Sequence, residues 1–248
     1  MVIAVADDPG MHSSQNEQDS RHYAKAAKLL MLEPSDSEEC LEYAKAAYEL
    51  SEKFDTPVIL RLTTRVAHSR SIVNIGERND IGVKDYVKNP GKYVMMPAMA
   101  KKRHIVVEDR MVAEREWAET ASINTVEYND KKIGVISSGI CYQYAKEALG
   151  DRVSYLKLGC VNPLPIELIK NFAANCDKVY VLEELDPFIE EHCKQIGIDV
   201  IGKDEFTLQG EYSQNLIAKV IFGETKPTMK ADIDIPTRPP VLCAGCPH

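Results

Sequence analysis

The chain has no hydrophobic run long enough to cross a membrane and no excess of basic residues. A membrane-spanning helix needs about 20 consecutive apolar residues, and no such run occurs. Lysine and arginine total 30 against 38 acidic residues, and the net charge is -8, which argues against a nucleic-acid-binding surface. The first residues lack the pattern of a secretory signal. These absences predict a cytoplasmic protein that binds neither nucleic acid nor membrane.

Cysteine and tryptophan are also scarce. Seven cysteines in 248 residues are too few and too scattered for a disulfide framework. No G-x-G-x-x-G follows any predicted strand, which excludes the nicotinamide-binding fingerprint. The sole tryptophan, Trp117, is predicted to pack in a core. What the chain does have is a hydrophobic share of 44%, which is enough to build real cores.

The first part of the chain alternates short apolar runs with amphipathic stretches. Residues 2–6, 29–32 and 57–62 have the composition of buried strands. Ser14 and Glu17 have the spacing of a capping box, as do Ser35 and Glu38, so helices are expected to begin at Gln15 and near residue 35. The order β-α-β-α-β predicts a parallel sheet with right-handed crossovers. The first strand is wholly apolar, which is typical of a central strand, so this unit looks like half of a domain.

The alternation restarts after an irregular region. Turn signals and a helix over residues 104–120 separate the two parts. Beyond Lys131, strands are predicted at 133–137, 153–158, 178–183 and 199–201, and helices at 141–149, 166–174, 187–196 and 213–222. The expected organisation is a first α/β unit at 1–75, a helical linker at 76–130, a second α/β unit at 131–225, and a proline-rich linker with the start of a further domain at 226–248. The fold class is therefore α/β.

A polar loop follows the first strand and contains the strongest functional candidates. It leads into a predicted helix N-terminus, and ligands of open α/β sheets bind at the carboxyl ends of the strands. Free backbone N–H groups favour anions there. A polar loop before a capped helix is also common without any function. The substrate- or cofactor-proximal candidates from this loop are Asp8, Ser13, Ser14, Asn16, Gln18, Asp19 and Arg21.

A second polar run follows the third strand at the same edge of the predicted sheet. Thr64, Arg65 and His68 are the candidates from this run. The arginines of both loops could hold a carboxylate or a phosphate, or they could pair with Asp8, Glu17 or Asp19. Both interpretations remain open from the sequence.

Cys243 and Cys246, followed by His248, form the sharpest metal-like pattern. Thiolates at C-x-x-C spacing can bind a zinc ion or an iron of a cluster. Four ligands are usually needed, and no second C-x-x-C is present. A redox pair is the alternative, although the surrounding βαβ context of a thioredoxin-like motif is missing.

Three stretches carry a resemblance to a known family. DDPGMHSSQNEQDSR at 7–21, TPVILRLTTRVAHSR at 56–70 and LCAGCPH at 242–248 resemble the alpha subunit of indolepyruvate ferredoxin oxidoreductase, of the 2-oxoacid:ferredoxin oxidoreductase family. The resemblance implies part of a pyrimidine-type domain of thiamine-diphosphate enzymes, followed by a transketolase C-terminal-like domain. It implies oxidative decarboxylation of aryl 2-oxoacids to acyl-CoA, with thiamine diphosphate, Mg²⁺ and [4Fe–4S] clusters. The implied partners are a beta subunit, ferredoxin, coenzyme A and the 2-oxoacid.

The resemblance also implies that this chain is an internal fragment. The thiamine-activating glutamate of the family should precede Met1, and the diphosphate-binding and cysteine-rich motifs should follow His248. Cys243 and Cys246 supply cluster ligands in related subunits. The fragment by itself is therefore expected to be inactive. A pyruvate-type oxidoreductase and a non-catalytic subunit-docking module are the alternatives.

Overall fold

The computed structural model describes residues 1–12, 14–78, 82–83, 85–229 and 232–233. Its first part alternates strands and helices as predicted. The elements are β1 (Val2–Asp7), α1 (Ser20–Ala27), β2 (Leu30–Leu32), α2 (Ser37–Phe54) and β3 (Val58–Thr63), followed by the short helix α3 (Thr64–His68).

The first sheet is parallel in the strands that the sequence predicted. β3 lies between β1 and β2 and runs parallel to both, with Val2 and Leu30 each opposite Val58. Helix α2 buries Tyr43, Ala47 and Leu50 against one face of this sheet. These contacts confirm the predicted parallel β-α-β-α-β unit.

Strand β1 is an edge strand in the described part of the sheet, although its composition indicated a central one. It pairs with β3 alone, and its side chains alternate between half-buried and exposed before Asp7. β-branched and apolar residues are common on both central and edge strands, so composition did not distinguish the two positions.

Helix α1 begins at Ser20 and not at Gln15, so the predicted capping box is wrong. Asp19 is the N-cap, and its carboxylate accepts the backbone N–H of Arg21 at 3.0 Å. The Ser14 hydroxyl instead contacts Asp8, and Glu17 accepts the N–H of Gly10. Spacing alone did not distinguish a capping box from a loop whose polar side chains bond within it.

Two further helices lead from the first part to the second. They are α4 (Pro90–Tyr93) and α5 (Pro97–Thr120). The long helix α5 begins seven residues before the predicted start, with a proline in its first turn, where proline fits. It buries Ala118 in the core beside the first sheet. Glu119 accepts the backbone N–H groups of Glu167 and Leu168 at 3.0 and 2.8 Å, so α5 contacts both parts of the chain.

The second part forms its own sheet, flanked by helices on both faces. Its elements are β4 (Thr125–Glu127), β5 (Ile133–Ser137), α6 (Gly139–Leu149), β6 (Ser154–Lys157), β7 (Cys160–Asn162), α7 (Ile166–Ala173), β8 (Lys178–Leu182), α8 (Phe188–Gln195) and α9 (Gln214–Phe222). The strand order is β4-β6-β5-β8, and β5 runs parallel to β6 and β8. One core lies under α6 and α9 and another under α7 and α8.

Strands β4 and β7 were not predicted, and the predicted strand at 199–201 forms only one bridge, between Ile201 and Tyr180. β7 pairs antiparallel with β2, with Met31 opposite Asn162, and thereby joins the first sheet. Three-residue strands are too short to show a periodicity, so tertiary pairing decided them.

Within the described residues, no helix has both the length and the apolar character that crossing a bilayer would require.

Candidate functional site

Arg21 is fully buried where the two parts of the chain meet. Its guanidinium lies 2.6 Å from Oδ2 of Asp19, a residue of the same loop. It lies 2.5 Å from Oε2 of Glu183, the residue directly after β8. It also donates to the carbonyl oxygens of Glu184 and Asp186, each at 3.0 Å. Only 1% of the side chain is exposed. Arg21 therefore links the opening loop to the second unit and is not available to a ligand from solvent.

A second buried arginine lies beside it on β3. Arg61 contacts Asp7 Oδ2 at 2.6 Å and Glu33 Oε1 at 2.5 Å. Its Nη2 is 3.8 Å from Asp19 Oδ1, which connects the two arginine clusters. We call this group the buried ion-pair network. Its members are Asp7, Asp19, Arg21, Glu33, Arg61 and Glu183.

Burial and charge act in opposite directions on the acids of this network. Burial opposes the charge on Asp19, but the Arg21 and Arg61 guanidiniums outweigh it and hold the pKa of its carboxyl well below the usual range. At Glu183 burial dominates and raises the pKa of the carboxyl despite the Arg21 contact. Burial, with Glu211 nearby, also raises the pKa of Glu184 to about 7. A guanidinium contact therefore outweighs burial at Asp19, which two arginines face, and does not outweigh it at Glu183.

The N-terminus of α6 closes the network from the second unit. The Ser138 hydroxyl donates to Glu33 Oε2 at 3.1 Å. Gly139 has a positive φ of 50°, and a Cβ at that position would lie 2.5 Å from Glu33 Oε1. Glycine is therefore required for α6 to approach this carboxylate. A helix N-terminus also favours the negative charge.

Three acids of the network share a signal in the sequence. Asp7, Glu33 and Glu183 each come at, or directly after, the end of an apolar strand. Asp7 and Glu33 lie at the carboxyl ends of parallel strands in one sheet, so these two acids can meet at its edge, whereas Glu183 follows β8 of the second sheet. Arg61 gave no such signal, because it occupies the middle of an apolar strand.

Most of the other described residues of the opening loop lie at the surface, and Pro9 is buried. Asp8 accepts the backbone N–H and the hydroxyl of Ser14 at 3.0 and 2.8 Å, and the Thr64 hydroxyl at 2.6 Å. Asn16 and Gln18 are exposed. We call this group the opening-loop surface, and its members are Asp8, Ser14, Asn16, Gln18 and Thr64. Ser13, the other candidate of this loop, lies outside the described residues.

Glu17 attaches the loop to the second unit. Its Oε1 accepts the N–H of Gly10 at 2.5 Å and that of Gly210 at 2.8 Å. The opening-loop surface is thus held between Thr64 on one side and the segment around residue 210 on the other.

Arg65 pairs with an acid of the second unit and with none of the three that the sequence suggested. Its Nε and Nη2 lie 2.5 and 2.6 Å from the two oxygens of Glu211, and His12 Nε2 lies 2.9 Å from Glu211 Oε2. Arg21, in contrast, does pair with the predicted Asp19. His68 is exposed at the end of α3, so the second polar run does not form a common pocket with Arg21.

The described residues do not provide a set of ligands for a diphosphate-bound Mg²⁺ or an iron–sulfur cluster. Asp19, His22 and Asp186 come together, but Arg21 and the α1 N-terminus already engage the Asp19 carboxylate. The described cysteines lie in separate elements, and burial raises the pKa of the thiols of Cys141, Cys160 and Cys193. Cys243 and Cys246 lie outside the described residues.

Comparison with known proteins gives relatives along the whole chain, although no protein-family model matches it. Subunit IorA of indolepyruvate oxidoreductase from Methanothermobacter thermautotrophicus is 41% identical, and those from Archaeoglobus fulgidus and Pyrococcus horikoshii are each 38% identical. Each alignment covers 100% of this chain and 43% of the relative. The chain thus spans less than half the length of these relatives.

Solved structures share the fold. A 2-oxoglutarate:ferredoxin oxidoreductase from Magnetococcus marinus superposes on 78% of this chain and 42% of its own, with a TM-score of 0.58 and 17% identity. A split-gene transketolase covers 90% of this chain and 65% of its own, with a TM-score of 0.51 and 15% identity. These likenesses confirm the predicted α/β fold class. The chain is a relative, over its whole length, of part of the indolepyruvate oxidoreductase subunit IorA.

Proposed function

We propose that this chain is part of the alpha subunit of a thiamine-diphosphate-dependent oxidoreductase acting on aryl 2-oxoacids such as indolepyruvate. The reaction joins the 2-oxoacid to coenzyme A, releases carbon dioxide and passes a pair of electrons to ferredoxin. The observation that carries the proposal is that six relatives, 38–41% identical over the whole chain, all bear the name indolepyruvate oxidoreductase subunit IorA.

The complete enzyme would use thiamine diphosphate, Mg²⁺ and [4Fe–4S] clusters. When bound, thiamine diphosphate would supply the chemistry for decarboxylation and the clusters would supply electron transfer. We assign Cys243 and Cys246 as candidate cluster ligands. Since two thiolates do not complete a cluster, the other ligands would come from elsewhere in the complete subunit.

This chain would contribute a preformed polar surface at the carboxyl edge of the first sheet. The hydrogen bonds from Ser14 and Thr64 to Asp8 hold the surface in shape. Asn16 and Gln18 project from it, and we propose that they face the substrate, the cofactor or the beta subunit. Ser13, Arg65 and His68 are the secondary candidates. Asp19 and Arg21 act as positioning residues, because they anchor the loop without being exposed.

The proposed domain boundaries follow the expected ones. Residues 1–75 would be the carboxyl half of the pyrimidine-type domain, 76–130 a helical linker, 131–225 the transketolase C-terminal-like domain, and 226–248 the approach to the diphosphate-binding domain. Pairing of β7 with β2 and the Arg21–Glu183 contact support a fixed arrangement of the two α/β units.

The test is an anaerobic assay of the complete subunit together with its beta subunit. Reduction of ferredoxin should depend on indolepyruvate, coenzyme A and thiamine diphosphate together. Faster turnover with pyruvate would support the pyruvate-type alternative. Absence of turnover with every 2-oxoacid, in a preparation that retains thiamine and iron, would support the docking-module alternative.

The 248-residue chain alone provides a second test. We expect it to fold, to give no heat on titration with thiamine diphosphate and Mg²⁺, and to take up no iron on anaerobic reconstitution. Micromolar thiamine binding would show that the chain carries more of the cofactor site than we propose.

A further inference from the structure

A cavity of about 140 Å³ lies between α1, α5, α8 and the loop after β7, away from the opening-loop surface. Three basic side chains are among its lining residues, namely Lys25, Arg115 and His192. No carboxylate is among the described residues that line the cavity. The other lining residues are Asn162, whose side-chain amide donates to the carbonyl oxygen of Leu29 at 2.7 Å, and the apolar Met111, Pro163, Leu164 and Phe188. The cavity therefore combines a cationic end with an apolar end.

The side chain of His192 indicates that a ligand could bind at the cationic end. Its Nε2 is buried and has no hydrogen-bond partner among the described residues. A buried ring nitrogen without a partner costs about 1–3 kcal/mol, so such an atom calls for an explanation such as a ligand. In the Nε2–H tautomer, or as an imidazolium, His192 can donate a hydrogen bond to an anion.

The two cations beside it are not neutralised by acids of the described structure. The neighbouring basic residue Lys28 contacts Glu108, but neither Lys25 nor Arg115 makes an ion pair within the described residues. Lys25 Nζ lies 5.6 Å from the centroid of the Phe188 ring. Burial, together with the charges of Lys25 and Arg115, lowers the pKa of His192 to about 4. An anion placed among these three groups would relieve their mutual repulsion.

We propose that this cavity is a binding site for a small organic carboxylate. The carboxylate would lie among Lys25, Arg115 and His192, and a short aliphatic part would contact Met111, Leu164 and Phe188. A bidentate arginine contact suits a carboxylate. A cavity of about 150 Å³ can hold a molecule the size of benzene, so a volume of about 140 Å³ accommodates a short-chain acid. Binding would join α1 of the first unit to α8 of the second through α5.

The test uses isobutyrate as the probe and the 248-residue chain with its natural residues. Histidine side-chain resonances are followed by NMR, and His192→Gln identifies the signal. We expect isobutyrate to shift the His192 resonance saturably and to raise the pKa of its imidazole. The melting temperature should rise with isobutyrate concentration, because a ligand that binds the native state stabilises it.

Variants of two exposed basic residues on α5 distinguish specific binding of isobutyrate from a general effect of charge. Arg115→Met should weaken isobutyrate binding by at least about tenfold, or ~1.4 kcal/mol, whereas Lys102→Met should leave it unchanged. Lys25→Met removes a cation from α1 and should also weaken isobutyrate binding. Equal effects of Arg115→Met and Lys102→Met, or no saturable shift at His192, would overturn the proposal. Inorganic phosphate binding as tightly as isobutyrate would overturn the assignment of an apolar end.

Discussion

The opening loop consists of two regions that have similar residues and opposite surroundings. The opening-loop surface, formed by Asp8, Ser14, Asn16, Gln18 and Thr64, keeps its carboxylate and amides near solvent. The next three residues, Asp19 to Arg21, are buried in contact with the second unit. Carboxylates and hydroxyls occur in both regions, so residue type did not distinguish them. The two regions differ in the groups that contact each carboxylate in the folded chain, which are guanidiniums in the buried region and hydroxyl or backbone N–H groups on the surface.

The comparison shows how one polar run can serve two purposes. In the buried ion-pair network, each acid is matched to a guanidinium or a helix terminus, because an unpaired buried charge is very costly. On the surface, the acids organise backbone N–H groups and hydroxyls, and the exposed amides remain available. The network thus determines where the surface lies, and the surface carries the proposed function.

The largest effect on stability is expected when Arg21, the central cation of the network, is removed. Arg21→Ala should lower the free energy of unfolding by about 3–5 kcal/mol, because Asp19 and Glu183 would remain buried without their partner. Urea denaturation monitored by circular dichroism measures this. The matched control is Arg65→Ala, which removes an exposed pair worth about 0–1 kcal/mol. Similar losses in both variants would remove the distinction between the two regions.

Glu114, a buried acid outside the network, should make the stability of the protein depend on pH. Both oxygens of Glu114 on α5 are buried without hydrogen bonds to described residues, 3.7 Å from Arg110 at the nearest. Burial raises the pKa of this carboxyl from 4.5 to about 7. Stability should therefore be fully present below about pH 4.5 and fall as pH rises through about 7, by roughly 3 kcal/mol.

The Glu114→Gln variant should lose this pH dependence and exceed the natural protein in stability at about pH 8. Urea denaturation across the pH range measures both. Glu116→Gln, on the exposed face of the same helix, is the control and should keep the natural pH profile. A flat profile in the natural protein would show that Glu114 is solvated or paired.

A smaller effect distinguishes a helix cap from a loop serine. The Ser213 hydroxyl accepts the N–H of Leu216 at the start of α9 at 3.2 Å, so Ser213→Ala should cost about 1 kcal/mol. Ser14 caps no helix, and Ser14→Ala should stay within about 0.5 kcal/mol of the natural protein, as is usual for surface changes. Melting temperatures of the two variants provide the measurement. A larger loss of stability in Ser14→Ala would indicate that Ser14 caps a helix.

The smallest effect on stability is expected at Asn16. In the complete enzyme, Asn16→Ala should lower kcat/KM for indolepyruvate by about tenfold, equivalent to ~1.4 kcal/mol, with an unchanged melting temperature. Asn171→Ala, an exposed position on α7, should leave both unchanged. Normal kinetics for the Asn16 variant would remove the opening-loop surface from the proposed function.

Much of the secondary structure could be predicted from the sequence, because long amphipathic or apolar runs have few alternatives. Strands β1, β3, β5 and β8 and the capped helix α9 were predicted to within one or two residues. The start of α1 was not, since the Ser14–Glu17 spacing also suits a loop that bonds within itself. The cavity around His192 had no sequence signal, because Lys25, Arg115 and His192 come from three helices that are far apart in the chain.

The sequence by itself determined the α/β class, the parallel first unit and the position of the polar loop at the carboxyl ends of strands. These follow from local periodicity and chain order. Only the tertiary structure decided which polar residues are buried. Arg21 is a structural residue because Glu183, directly after β8, lies beside it, and β7 joins the first sheet because β2 offers it an edge. Such long-range partners determine the electrostatic environment, and no local pattern records them.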